Sequence, residues 1–164
     1  MHLKITFNGT GTSQGVPVIS CTCEVCKSSD YRDQRLRSSI VIEDENTSVC
    51  IDTGPDFRQQ MLRVHQKKID AVLLTHEHKD HIAGLDDVRA FNFFSGTAMP
   101  VYAEERVLQA LRREFAYVFE SPDYPGLPRL ELKPIIHSDF EINSLKFKAL
   151  PVFHADLPVL GFRI

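Results

Sequence analysis

The order of apolar patterns along this chain predicts an α/β (α+β) fold, sheets with helices packed outside them. Three stretches carry that expectation: the compact apolar run Ile69 to Leu74, the amphipathic stretch Glu104 to Phe119, and a tail after Pro128 made of strand-like runs. The chain has 164 residues, enough for one hydrophobic core and few for two, so a single domain over residues 1–164 is expected.

Leu3 to Phe7 alternates as a half-buried strand does, and the Gly- and Ser-containing stretch Asn8 to Gly15 ends it. A long loop holding Cys21, Cys23 and Cys26 follows. Ser39 to Ile42 and Ser48 to Ile51 flank the polar turn Glu43 to Thr47 and read as a hairpin, stopped by Gly54-Pro55. Pro55 suits a first helical turn, and Phe57, Met61, Leu62 and Val64 give the next segment an apolar helical face. Ile69 to Leu74 is a compact apolar run and reads as a buried strand that delivers the chain to a histidine-rich loop at Thr75. A helix through Ile82, Leu85 and Val88 could begin at Asp80. In Glu104 to Phe119, Val107, Leu108, Leu111, Phe115 and Val118 share a face, with acids early and Arg112 and Arg113 late, as the helix dipole favours. Three prolines and a glycine make 121–128 a loop. Leu130 to Ile136, Phe140 to Ile142, Leu145 to Leu150 and Leu157 to Ile164 complete the expected strands.

Composition excludes some classes. With 43% hydrophobic and 25% charged residues the chain is globular rather than disordered. A formal charge of -3 and no basic stretch argue against an extended nucleic-acid surface. No segment has the length or apolarity to span a membrane, and no secretory signal opens the chain, so a cytoplasmic protein is expected. In a reducing compartment three cysteines crowded into one loop read as metal ligands sooner than as a disulfide framework, and Cys50 lies apart in an apolar segment.

The chemistry concentrates in His76-Glu77-His78-Lys79-Asp80-His81, three imidazoles and a carboxylate directly after the buried strand. Side chains repeat every second residue in extended backbone, so His76 and His78 can point to one cation. Asp80 and His81, at a helix start, can turn toward a second ion beside it. The bland alternative is a solvated histidine cluster with Asp80 as a helix cap. His154, after a late strand, is the best remaining candidate to complete the first ion's imidazole set. His65 and His137 read as surface or packing residues.

The H-x-H-x-D-H spacing, together with Asn8-Gly9-Thr10-Gly11-Thr12-Ser13-Gln14-Gly15-Val16-Pro17, Cys21-x-Cys23-x-x-Cys26, Arg35-x-Arg37-Ser38-Ser39 and Ile51-Asp52-Thr53-Gly54, resembles the metallo-β-lactamase superfamily, and in it the PhnP-like cyclic-phosphodiesterase branch. The resemblance covers essentially the whole chain. It implies an αββα sandwich in which His76, His78 and His154 hold one divalent ion, Zn or Mn, and Asp80 and His81 help hold a second. It implies that Asp52 is a carboxylate buttressing the ligands from behind, a role its place at a strand end suits; a turn-forming Asp before Thr53-Gly54 is the other reading. It implies a structural zinc on Cys21, Cys23 and Cys26, in a loop around residues 20–27, since close thiolates repel until a cation neutralises them. Ligands that the family supplies late in its sequence have no counterpart before Ile164. The expectation is therefore the N-terminal portion of a longer member, with the sandwich incomplete at its C-terminus. Asp156 and Glu77 are conceivable substitutes with nothing in their spacing to favour them.

The function so implied is metal-dependent hydrolysis of a small, anionic, cyclic phosphodiester, with hydroxide generated between two ions. His76, His78, Asp80 and His81 are the expected catalytic set, and Asp80 could also orient the hydroxide. Arg35 and Arg37 could contact phosphate or serve structure. Asn8 to Gly15 could line the pocket but lacks the ending of a nucleotide P-loop. Three alternatives stay open: a transfer-RNA 3′-end endonuclease, a thioester or lactam hydrolase, and a metal-binding interaction module without catalysis. Extended nucleic acid and membranes are not expected partners, and a homodimer stays open.

Overall fold

The computed structural model describes residues 2–120, 124–136 and 138–164. His137 and the first part of the loop expected at 121–128 lie outside them.

Six strands form one sheet in sequence order: β1 (Lys4–Gly9), β2 (Ser39–Glu43), β3 (Ser48–Ile51), β4 (Ala71–Leu73), β5 (Met99–Ala103) and β6 (Leu130–Pro134). The first three pair antiparallel and the last four parallel. The helices between the parallel strands are α2 (Phe57–Arg63), α3 (Lys79–Ile82), α4 (Arg89–Ser95), α5 (Glu105–Glu114) and α6 (Ala116–Glu120); α1 (Glu24–Lys27) belongs to the cysteine loop. A smaller antiparallel sheet follows, β7 (Asp139–Ile142), β8 (Leu145–His154) and β9 (Leu157–Arg163).

Period-two alternation divides the core in two. Val41, Cys50, Val72, Leu74 and Val101 face the helices and meet Phe57, Met61, Leu85, Leu108 and Leu111. Ile42, Val49, Ile51, Ala71 and Leu73 face the small sheet and meet Ile142, Leu145 and Phe147. The layers are therefore helices, large sheet, small sheet, the first three layers of the expected sandwich; the second core draws on no helix of the described residues. Ala71, Val72 and Leu73 are fully buried, which is why this strand reads as an uninterrupted apolar run. Each such Leu or Val side chain contributes about 1.5–3 kcal/mol when removed from water.

Two expected helices differ from the observed ones. The helix expected through Ile82, Leu85 and Val88 is α3, a break at Ala83-Gly84, a 3-10 turn over Leu85–Val88, and then α4. The break follows from packing: a Cβ on Gly84 would lie 2.0 Å from the Gly54 carbonyl oxygen, so the chain passes there as bare backbone. The helix expected over 104–119 is α5 and α6, interrupted at Phe115, whose bend keeps both Phe115 and Val118 in the core. Strand β5 and helix α4 carry no clear period in the sequence and were not expected.

Candidate metal centre

All of the histidine motif hangs from the end of β4. Asp52 and Thr53, which follow β3, lie directly against it: the Thr53 N–H donates to the His81 carbonyl at 2.8 Å, and the Gly84 N–H to the Thr53 carbonyl at 2.8 Å. Gly54 completes this contact, because a Cβ there would sit 2.1 Å from the Asp80 carbonyl oxygen. Asp52 itself takes a left-handed backbone, φ 62°, a conformation Asp tolerates better than most residues.

The Asp52 carboxylate is buried, 5% exposed, and fully engaged. Oδ1 accepts from the Thr75 N–H at 2.9 Å, Oδ2 accepts from the Thr75 hydroxyl at 2.9 Å, and Oδ2 also accepts from His81 Nδ1 at 2.6 Å. This decides both tautomers. An ionised carboxylate only accepts, so the single Thr75 hydroxyl hydrogen goes to Asp52 and Oγ1 is left to accept from His76 Nδ1–H, 2.9 Å away. Nε2 of His76 therefore keeps a free lone pair. Burial, reinforced by His81, lowers the His76 pKa to about 4, so the ring is neutral at pH 7 and able to donate that pair. On His81, burial works the other way from the net result: the hydrogen bond and charge of Asp52, with the charge of Asp80, hold its pKa above the ordinary histidine value. Its Nε2 lies 3.1 Å from Asp80 Oδ2.

The rings cluster. His76 is 4.7 Å from His78 and 4.0 Å from His81, centroid to centroid, and His154 stands 6.1 Å from His76 and 5.9 Å from His78. The structure thus brings His76, His78, Asp80, His81, His154 and Asp52 to one place, although His154 belongs to the other sheet, near the tip of the β8–β9 hairpin. Gly9, Thr10, Ser38, Ser39 and Asp52 border a cleft of about 300 Å³, so part of the glycine-rich segment shares a cleft with Asp52 and with none of the histidines.

Glu77 turns to another task. It pairs with Arg106 of α5, and it stays below the ordinary carboxylate range because its own backbone N–H and Arg106 outweigh its burial. Asp156 is exposed at the hairpin turn. Arg37 serves structure: it pairs with Asp56 at 2.9 Å and donates to the Ser13 carbonyl at 2.8 Å, while Arg35 joins the same loop through backbone bonds with Val16. His65 is exposed.

A second cluster sits apart. Cys21, Cys23 and Cys26 place their three sulfurs within 4.8 Å of one another; among the described residues theirs is the group of three donors that close. Cys23 caps α1 and its sulfur accepts from the Cys26 N–H at 3.5 Å, while Cys26 sulfur accepts from the Val18 N–H at 3.4 Å. The Cys26 N–H, with the neighbouring thiols, pulls the Cys23 pKa below the ordinary thiol value. On Cys26 the Val18 N–H is outweighed by desolvation and by the other two sulfurs, and its pKa rises. Buried Cys50 is pushed up to about 12.

Thr75 and Arg106 are the participants that sequence reasoning missed. Thr75 precedes the motif and relays Asp52 to His76, and Arg106 had no signal beyond being a cation in the first turn of a helix.

A family model described as the β-lactamase superfamily domain matches residues 47–164. The chain belongs to the metallo-β-lactamase superfamily. Its sequence is 42% identical to a crystal structure described as a new diphosphatase from the PhnP family, with a TM-score of 0.90, covering 99% of this chain and 62% of that one. It is 45% identical to an octanoyltransferase of Porphyromonas gingivalis over 99% of this chain and 33% of that protein. It is 31% identical to coenzyme PQQ synthesis protein B of Rhodopseudomonas palustris over 67% of this chain and 38% of that protein. The chain thus spans less than two thirds of the length of each of these relatives. No helix among the described residues is long and apolar enough to cross a membrane.

Proposed function

We propose that this metallo-β-lactamase domain is the metal-binding part of a hydrolase that cleaves P–O bonds in a small anionic phosphodiester, a cyclic one as the leading substrate class. The observation that carries the reading is the buried Asp52 carboxylate, which fixes His81 directly and His76 through Thr75, each with Nδ1 turned inward. A histidine held by its Nδ1–H on a carboxylate or hydroxyl is arranged as a metal ligand is.

The donor set fits divalent ions. His76, His78 and His154 would hold one ion, Zn or Mn, and Asp80 and His81 would help hold a second; neutral imidazole and carboxylate are the donors such ions take. Divalent ions supply Lewis acidity toward water and phosphoryl oxygen. The chain's own part is orientation. Asp52 sets both tautomers and so aims Nε2 outward, burial keeps His76 free of a competing proton, and Gly54 and Gly84 let the two loops close to backbone contact. Asp80 would ligate and, beside its ion, accept a hydrogen bond from the attacking water. The three cysteines suit a structural zinc, with N–H···S bonds that temper the charge of the thiolates.

The phosphoryl class draws support from the similarity to the PhnP-family diphosphatase, 42% identical over 99% of this chain. A thioester reading has one observation in its favour, the similarity to a third of an octanoyltransferase. One panel separates them. The protein loaded with Mn²⁺ or Zn²⁺ is given ribose cyclic phosphates, 2′,3′-cyclic nucleotides, diphosphates, precursor transfer RNA and acyl thioesters. Metal-dependent release from the phosphoryl compounds is the expected result. Turnover of thioesters alone would move the site to acyl chemistry, and no turnover of any kind would leave a binding module.

A further inference from the structure

We infer that Arg106 is a positioning residue: with Glu77 it latches the β8–β9 hairpin, and with it His154, onto the histidine loop. This rests on the reading of His154 as a metal ligand.

The starting point is a placement that local energetics disfavours. Arg106 lies in the first turn of α5, where the helix dipole repels a cation and where Glu104 and Glu105 are the favoured type. Its guanidinium instead reaches away from its helix and joins two elements. Nη1 pairs with Glu77 Oε1, between His76 and His78, and Nη2 donates to the Pro158 carbonyl at 2.6 Å. Glu104 adds a longer contact to Nη2 at 3.7 Å. In the hairpin ladder Pro158 is the partner of Phe153 and Leu157 the partner of His154, so the anchor is one register step from the ligand.

His154 needs such an anchor. Residues from Pro151 to Asp156 are exposed, Phe153 at 76%, so this end of the hairpin has no core beneath it. Among the described residues the other hydrogen bond between the hairpin and the site loop is the Leu160 N–H to the Thr75 carbonyl, 3.0 Å, farther from the tip. A planar fork can serve two acceptors on different elements at once, which an ammonium does poorly. Glu77, inside the histidine motif but not turned into the cluster, thereby acquires a role.

The test uses hydrogen exchange of the metal-free protein and Zn²⁺ titration with a competing chelator, comparing wild type, Arg106→Ala, Arg106→Lys, Glu77→Gln and, as a control on the same helix turn, Glu105→Gln. In Arg106→Ala the hairpin amides from Val152 to Val159 should exchange about tenfold faster, the order expected for loss of one charge-assisted hydrogen bond. Zinc affinity should fall about 10–100-fold at the histidine centre, as for lost groups that orient ligands, and stay unchanged at the cysteine centre. Arg106→Lys should recover part of both, Glu77→Gln should shift both the same way by less, and Glu105→Gln neither. Unchanged hairpin exchange in Arg106→Ala, with a normal melting point, overturns the latch, and so does faster exchange with unaltered zinc affinity. If wild type and His76→Ala bind equal amounts of zinc, the metal-site reading fails instead, and with it the positioning of a ligand, whereas the exchange data still decide whether Arg106 holds the hairpin.

Discussion

The two donor clusters of this chain are built in opposite ways. The histidine centre grows largely out of the core: four of its five proposed ligands follow β4, the most buried strand, and a carboxylate 5% exposed locks two of the rings. The cysteine centre grows out of a surface loop, with two exposed thiols, a four-residue helix that buries nothing, and N–H···S bonds as its main internal ties. In the first, the fold organises the proposed ligands on the β4 side before any ion would arrive; in the second, the ion would have to supply much of the organisation. Metal removal should therefore act differently on the two, and each substitution below asks whether that division is real.

The largest effect is expected at the histidine centre itself. His76→Ala or Asp80→Ala should reduce turnover on the phosphoryl panel to background with the circular dichroism spectrum and melting transition nearly unchanged, because the surrounding strands do not depend on either side chain. Turnover that survives would remove these residues from the chemistry. Asp52→Asn comes next. The amide is close to isosteric but can no longer accept from every donor now facing it, so His81 and Thr75 lose their common acceptor and His76 loses its fixed tautomer. A fall of about 10–100-fold in metal affinity or activity is expected for such a carboxylate, read by chelator competition and initial rates. An equal activity of wild type and Asp52→Asn would reduce Asp52 to a turn residue.

The same division explains what could be read from the sequence. Ile69 to Leu74 and the H-x-H-x-D-H motif are legible because burial on both faces leaves an apolar run and because metal ligands must be particular residue types at fixed spacing. The hairpin of β2 and β3 is legible from two short apolar runs around a polar turn. His154 could be singled out only as a lone histidine, since what brings it to His76 is the packing of a second sheet through Ile142, Leu145 and Phe147. Thr75 and Arg106 had no signature at all, because a hydroxyl or guanidinium that bridges elements is identified by distance, not by spacing. The single helices expected at 80–88 and 104–119 are broken where tertiary contacts override periodicity, at Gly84 against Gly54 and at Phe115 turned into the core.

Gly54 offers an intermediate perturbation. Gly54→Ala places a methyl group 2.1 Å from the Asp80 carbonyl oxygen, closer than any side chain tolerates, so the loop carrying Asp80 and His81 must move. Overpacking of this kind costs about 1–3 kcal/mol, to be measured by urea denaturation. The loss of activity should exceed what the unfolded fraction accounts for, since the displaced backbone carries two proposed ligands. A stability loss with full activity per folded molecule would show that the site tolerates looser loops than its tight hydrogen bonding suggests.

The smallest effect on turnover is expected from Cys23→Ser. The hydroxyl is a poor zinc ligand, and loss of one sulfur from a three-sulfur set should release the loop's zinc and lower the melting temperature. The histidine loop has its own anchoring through Asp52 and Thr53, so activity per folded molecule should change least among these variants. Thiol alkylation supplies an independent reading. In metal-free wild type Cys23 should react before Cys26, because the Cys26 N–H and the neighbouring thiols favour its thiolate whereas Cys26 is pushed the other way. Added zinc should protect all three, and Cys50, buried with its pKa near 12, should stay unmodified throughout. Zinc content unchanged in Cys23→Ser, or activity falling as far as it does in Asp52→Asn, would erase the division between a loop that the metal orders and a centre that the core orders.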